Sequence, residues 1–204
     1  MGAQRLALAR WLAVTALAAT ATAAVTAGCG SAADGIPSAL IRQARPIGHG
    51  ARFHPPASGP VLGDCRRRLG PRFGVHVEVF AANRVVLIAA GIGARPPLRF
   101  SAGRISGADC YGALVTLEPT GVVLVRPGAR LTVSNLFRAW GQPLSQRRLL
   151  SFRTRGAARV AAFVDGRRWD GVPGGVPLTR HSEIVIELGP HVPPHSSYDF
   201  PPGS

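Results

Sequence analysis

The chain contains no Lys: all 24 of its basic residues are Arg, set against 10 Asp and Glu, for a formal net charge of +14 over 204 residues. With abundant Ala, Gly and Pro, this composition follows GC-rich codon usage and points to a high-GC bacterium, so part of the positive charge is codon bias. Aromatic residues are scarce, at 6%, and only Arg66-Arg67-Arg68 forms a basic run, so the aromatic-and-Arg pattern of a strand-binding groove is missing and no nucleic-acid partner is expected. The ten scattered acidic residues give no reason to pair any two as acid and base. Neither a Gly-x-Ser-x-Gly elbow, a His-Glu-x-x-His helix nor a phosphate loop is present. Gly91-Ile92-Gly93 runs into Pro96 and Pro97 instead of a helix and reads as a turn. The three cysteines have neither zinc-ligand spacing nor a Cys-x-x-Cys arrangement. No cofactor is implied, and an enzyme is not expected.

What is present begins at the N-terminus. Arg5 and Arg10 precede seventeen uncharged residues, Trp11 to Ala27, which close on Thr26-Ala27-Gly28-Cys29. A basic segment, an apolar segment and small residues before a Cys are what export, cleavage and attachment of a diacylglycerol thioether require, so residues 1–28 read as a lipoprotein-type signal and Cys29 as the lipidation site. Two alternatives stand beside it. Cleavage after Ala21-Thr22-Ala23 would release a soluble secreted protein, and the uncharged run, which continues to Ala33, is long enough for a retained span. Eight Ala and four Thr among the seventeen residues argue against the span, because stable spans lean on Leu, Ile, Phe and Val. The expected location is the outer face of the cell membrane, with Arg side chains available to anionic lipid or phosphate-bearing wall polymer.

If Cys29 carries lipid, Cys65 and Cys110 form an even set in an oxidising compartment, and one disulfide is the simplest assignment, with two free buried thiols as the alternative. Closing a loop of about 46 residues would stabilise the fold by up to about 4 kcal/mol in the chain-entropy model.

Residues 29–60, rich in Ala, Gly, Pro, Ser and Arg without apolar periodicity, read as a flexible tether, with His49 and His54 as solvated loop residues. A single domain is expected over residues 61–189. Val75, Val77 and Val79 alternate with His76, Glu78 and Phe80 as a one-faced strand, which turns at residues 81–84 and returns through residues 85–89. A second hairpin turns at Glu118-Pro119-Thr120-Gly121, and a third at Asp165-Gly166. Val133, Leu136, Phe137 and Trp140 recur at helical spacing between a Thr132 cap and Gly141, predicting one short amphipathic helix over about 133–140. The last strand is residues 183–188, and residues 190–204 form a Pro-rich extended tail holding His191 and His195, where a preorganised site is not expected. The fold class is α+β or mainly β, with an antiparallel sheet built from hairpins.

His76 and Glu78 face one way on their strand and are candidate metal ligands; His181 with Glu183 is a second pair of the same kind. Two donors leave most of a coordination shell to water, so no metal site is assigned.

The order of several motifs resembles a family of functionally uncharacterised exported or membrane-anchored prokaryotic proteins. These are His76-Val77-Glu78-Val79-Phe80, Ala90-Gly91-Ile92-Gly93, Cys110-Tyr111, Thr120-Gly121-Val122-Val123, Trp140-Gly141-Gln142-Pro143-Leu144-Ser145, Val164-Asp165-Gly166, Val176-Pro177-Leu178-Thr179 and Tyr198-Asp199-Phe200-Pro201-Pro202-Gly203. Fuller members carry a His-x-His at the first strand, a His-Thr-His-Asp in the second hairpin and a His in its returning arm, a set that suggests metal binding. The resemblance places His76 at the second His of the first pair, with Gly74 where its partner would stand. Val115, Thr116, Leu117 and Glu118 take the His-Thr-His-Asp positions and Leu124 the later His, so the resemblance implies that this chemistry is lost. It also aligns Cys65 and Cys110 with family cysteines, supporting their pairing. The reading that follows is a non-enzymatic envelope lipoprotein acting as a binding or structural module. An extracytoplasmic copper- or zinc-binding protein is the second reading and an unrecognised hydrolase the third.

Overall fold

The computed structural model describes residues 44–200; the signal sequence, Cys29 and the first part of the tether lie outside the described residues. Alternation along β1 (Phe73–Ala81) organises the architecture. Val75, Val77, Val79 and Ala81 enter the main core, while His76, Glu78 and Phe80 face the other way. Ala82 and Asn83, with φ of 51° and 62°, turn the chain into β2 (Arg84–Val86). β3 (Ala94–Arg95) pairs with β6 (Cys110–Tyr111), and β4 (Arg99–Ser101) with β5 (Arg104–Gly107), as two small ladders outside the main sheet. β7 (Leu114–Val115) returns as β8 (Val122–Val125), and α1 (Val133–Trp140) follows. β9 (Leu144–Ser145), β10 (Arg148–Leu149) and β11 (Phe152–Arg153) form a three-stranded ladder. β12 (Ala161–Val164) and β13 (Arg167–Arg168) turn on Asp165-Gly166, both at positive φ, before β14 (Glu183–Leu188).

The protein is mostly β with one short helix, as the sequence pattern predicts. The seven-stranded main sheet runs β13-β12-β14-β1-β8-β7, with β2 also on β1, and it is mixed, because β14 lies parallel to β1. Hairpin signals report pairings between neighbours in sequence, and this pairing joins strands about a hundred residues apart; no local pattern encodes it.

On one face of the sheet, α1 buries Val133, Leu136, Phe137 and Trp140 against Val75, Val77, Ile184 and Ile186. Gly141 ends the helix at φ 77°, and the Asn135 side chain accepts the Thr132 backbone N–H at 2.8 Å at its start. Trp140 donates its indole N–H to Pro55 O at 3.1 Å. Gly48 and Leu87 bond across to Val85 and Phe53, and Ser58 to Trp140, so the segment before Val61 is already fixed to the domain. Its apolar anchor is Phe53 against Phe152, a contact between residues too far apart for local periodicity to signal.

Cys65 and Cys110 form a disulfide with Cα atoms 5.3 Å apart, tying the approach to β1 to β6. Arg72 reinforces that junction by donating to the carbonyls of Leu69, Gly112, Ala113 and Leu124. Burial, aided by Arg126 and Arg66, lowers its pKa to about 10. Among the described residues no helix is long and apolar enough to cross a membrane.

Candidate functional site

The second face of the sheet differs in kind. β14 accompanies β1 along one edge, but the other edge is divided: β8 pairs as far as His76 and β2 only from Val79. The Val77 N–H still reaches Gly121 O at 3.0 Å, so the sheet parts at Glu78, leaving a cleft of about 90 Å³ bordered by His76, Glu78, Pro119, Thr120 and Gly121. Gly121 makes the approach possible. Its φ is +83°, and a Cβ there would stand 2.6 Å from Val77 O and 2.9 Å from His76 Nε2.

The parallel register sets His76 directly beside Glu183. His76 is 7% exposed and Glu183 1%. The His76 Nε2–H donates to Thr120 O at 3.0 Å, which orients the ring and turns Nδ1 toward Glu183 Oε2, 2.6 Å away, with one proton bridging the two. Among the described residues the buried Glu183 Oε1 has no hydrogen-bond partner. Burial pushes the Glu183 carboxyl above the usual carboxylate range against the pull of the His76 hydrogen bond, and the nearby Glu78 charge pushes it the same way as burial. One donor atom each from His76, Glu78 and Glu183 falls within a mutual distance of 4.8 Å.

The C-terminal segment, residues 190–200, lies over this face without regular secondary structure. His195 Nδ1 donates to Glu78 Oε2 at 2.9 Å, and His191 Nδ1 donates to Glu187 Oε1 at 2.8 Å. Tyr198 stacks on the His76 ring, centroids 3.8 Å apart and planes within 10°, and Phe200 meets Tyr198 edge-on. Val192 is buried with Phe80, Phe163 and Val185. Three of the four Glu in the chain thus sit on one sheet face paired with His. The Arg ion pairs of the described residues reach Asp64, Asp109 and Glu118 instead.

No family model, curated protein or solved structure matches the chain.

Of the residues singled out by sequence, His76 and Glu78 are brought together, while Cys29 lies outside the described residues. The second pair is not formed. His181 occupies a turn at φ 58° and stacks on Phe200, and Glu183 turns to His76. His49 is exposed, and His54 Nε2 lies 2.7 Å from Gly48 O. Gly74, Leu124 and Val115 fall in one row across β1, β8 and β7. Val115, Leu117 and Leu124 belong to an apolar cluster around Tyr111 and Ile105. Sequence reasoning missed Glu183 as the partner of His76, and it missed His195 and Tyr198. The one available signal was compositional: four of the six His stand at position 76 or in residues 181–195.

Proposed function

We propose that the protein is a non-enzymatic, lipid-anchored envelope module that binds a divalent transition metal ion through His76, Glu78 and Glu183. The observation that carries this reading is the convergence of three donor atoms within 4.8 Å on strands fixed by the parallel β1–β14 register. On sequence alone metal binding is the second reading, because His76 and Glu78 are only two donors; Glu183 supplies the third. The cleft beside His76 and Glu78, which Glu183 does not line, is too small for an organic substrate, since pockets for small molecules run roughly 300–1,000 Å³. One imidazole with two carboxylates suits zinc better than cuprous copper, which prefers sulfur. The Thr120 carbonyl already plays the part that outer-shell acceptors play at metal-bound His, by holding the opposite ring N–H and directing Nδ1 inward. A metal would then take the place of the proton bridging His76 and Glu183.

The test is calorimetric titration with zinc, alongside elemental analysis, on mature protein purified without a His tag. One equivalent of zinc, lost in His76→Ala, is expected; no uptake, or uptake indifferent to that substitution, contradicts the reading. The anchor is tested separately by labelling cells with fatty acid. Cys29→Ala should abolish the label, and unlabelled wild-type protein in the medium would contradict the lipid attachment.

A further inference from the structure

Resting on the reading of His76, Glu78 and Glu183 as metal ligands, we infer that His195 is the fourth ligand and that metal binding clasps the C-terminal segment onto the sheet. The site contains two His–Glu pairs of the same design. His76 Nδ1 lies 2.6 Å from Glu183 Oε2, and His195 Nδ1 lies 2.9 Å from Glu78 Oε2. Glu78 and Glu183 belong to one three-residue cluster, so the second pair brings a second imidazole to its rim. Two imidazoles and two carboxylates complete the four-coordinate N/O shell that zinc adopts in closed sites. With metal–donor bonds of about 2.0–2.2 Å, neighbouring donors around a tetrahedral ion stand roughly 3.3–3.6 Å apart, so each His–Glu contact opens by about 1 Å or less while the His195 ring, outside the three-donor cluster, turns inward to reach the ion.

The backbone carrying His195 is placed for this by contacts on both sides of it. Upstream, Glu187 accepts both the His191 ring N–H and the Val192 backbone N–H, and Val192 is buried against the sheet. Downstream, Tyr198 covers His76. In between, Ser196 lies against the Asp165-Gly166 turn, where a Cβ on Gly166 would stand 3.0 Å from the Ser196 Cβ. That turn in turn holds β14, because Asp165 Oδ1 accepts the Glu183 backbone N–H at 2.9 Å. His195 itself stays 45% exposed, leaving its ring room to turn from Glu78 to an ion bound beside it.

The test compares wild-type mature protein with His195→Asn, His195→Cys and His76→Ala, using zinc alone as the probe. The Asn amide takes the place of Nδ1 as a donor to Glu78 but is a poor zinc ligand, whereas Cys restores a ligand. Zinc affinity is read by chelator competition, and the state of the tail by hydrogen exchange at residues 190–200 and by chymotrypsin cleavage after Tyr198. Zinc should slow exchange and cleavage in the wild type and in His195→Cys. His195→Asn should lose both protections and at least about tenfold in affinity, the least that disturbing even an outer-shell partner costs. Full affinity in His195→Asn, with binding lost in His76→Ala, would overturn the fourth ligand and leave the three-ligand site standing. Zinc binding that leaves the wild-type tail unprotected would overturn the clasp, and absence of zinc uptake by the wild type would overturn both.

Discussion

The two faces of the main sheet are made from the same strands, yet they are held down by different means. On one face Val75, Val77, Ile184 and Ile186 meet α1 through apolar contact, and burial there stabilises the fold directly. On the other, the alternate residues of the same two strands are His76, Glu78, Glu183 and Glu187 beside Phe80 and Val185, under an irregular segment that brings His191, Val192, His195 and Tyr198. Burying carboxylates costs free energy unless they are paired, and Glu183 retains one oxygen without a partner. The buried carboxylates of that face are therefore the groups to examine for function, because packing alone would not have placed them there.

The comparison breaks most visibly at Trp140, which is fully buried and bonded to Pro55. Trp140→Ala should lower stability by about 3–5 kcal/mol. Measured by urea unfolding and zinc titration together, it should leave the zinc affinity of the remaining folded protein close to wild type. A smaller loss follows at the seam between the faces. Gly121→Ala forces a side chain into left-handed backbone and against His76, at a cost of about 1–3 kcal/mol, and unlike Trp140→Ala it should also weaken zinc binding.

The smallest effect on stability, and the one that separates the faces best, is expected from Glu183→Gln. The folded-state pKa of Glu183 is raised above its ordinary 4.5, so the folded form binds more protons than the unfolded form in the window that opens near 4.5 and closes at the raised value. Wild-type stability from this group is fully present below that window and declines as pH rises through it. Gln has no such decline. Urea midpoints of the two proteins should therefore converge near pH 4 and separate at neutral pH in favour of Glu183→Gln, while that variant loses zinc binding. Equal midpoints at both pH values would mean that the buried carboxylate carries no such cost.

Much of the apolar face is legible in the sequence. The Val alternation of β1, the helical spacing that ends at Trp140-Gly141 and the Asp165-Gly166 hairpin are local patterns, and each reappears where its period places it. The cysteine pair follows from compartment and parity, and the bond joins Cys65 to Cys110. The polar face is only half legible. His76 and Glu78 share a strand and a period, so they can be read together. Glu183 is 107 residues from His76 and reaches it through a parallel pairing that no hairpin signal announces. His195 is 117 residues from Glu78, in a segment whose prolines speak for extension but not for what that extended chain lies upon. Apolar periodicity describes how an element turns toward a core; it carries no information about which polar side chains meet across the opposite face.

The most direct measurement is a crystal structure of the zinc-loaded mature protein with anomalous data collected on both sides of the zinc edge. The account predicts one strong anomalous peak bounded by His76 Nδ1, Glu78 and Glu183. A peak at the exposed His49 or at His54 instead, or no peak from protein soaked in zinc, would contradict it.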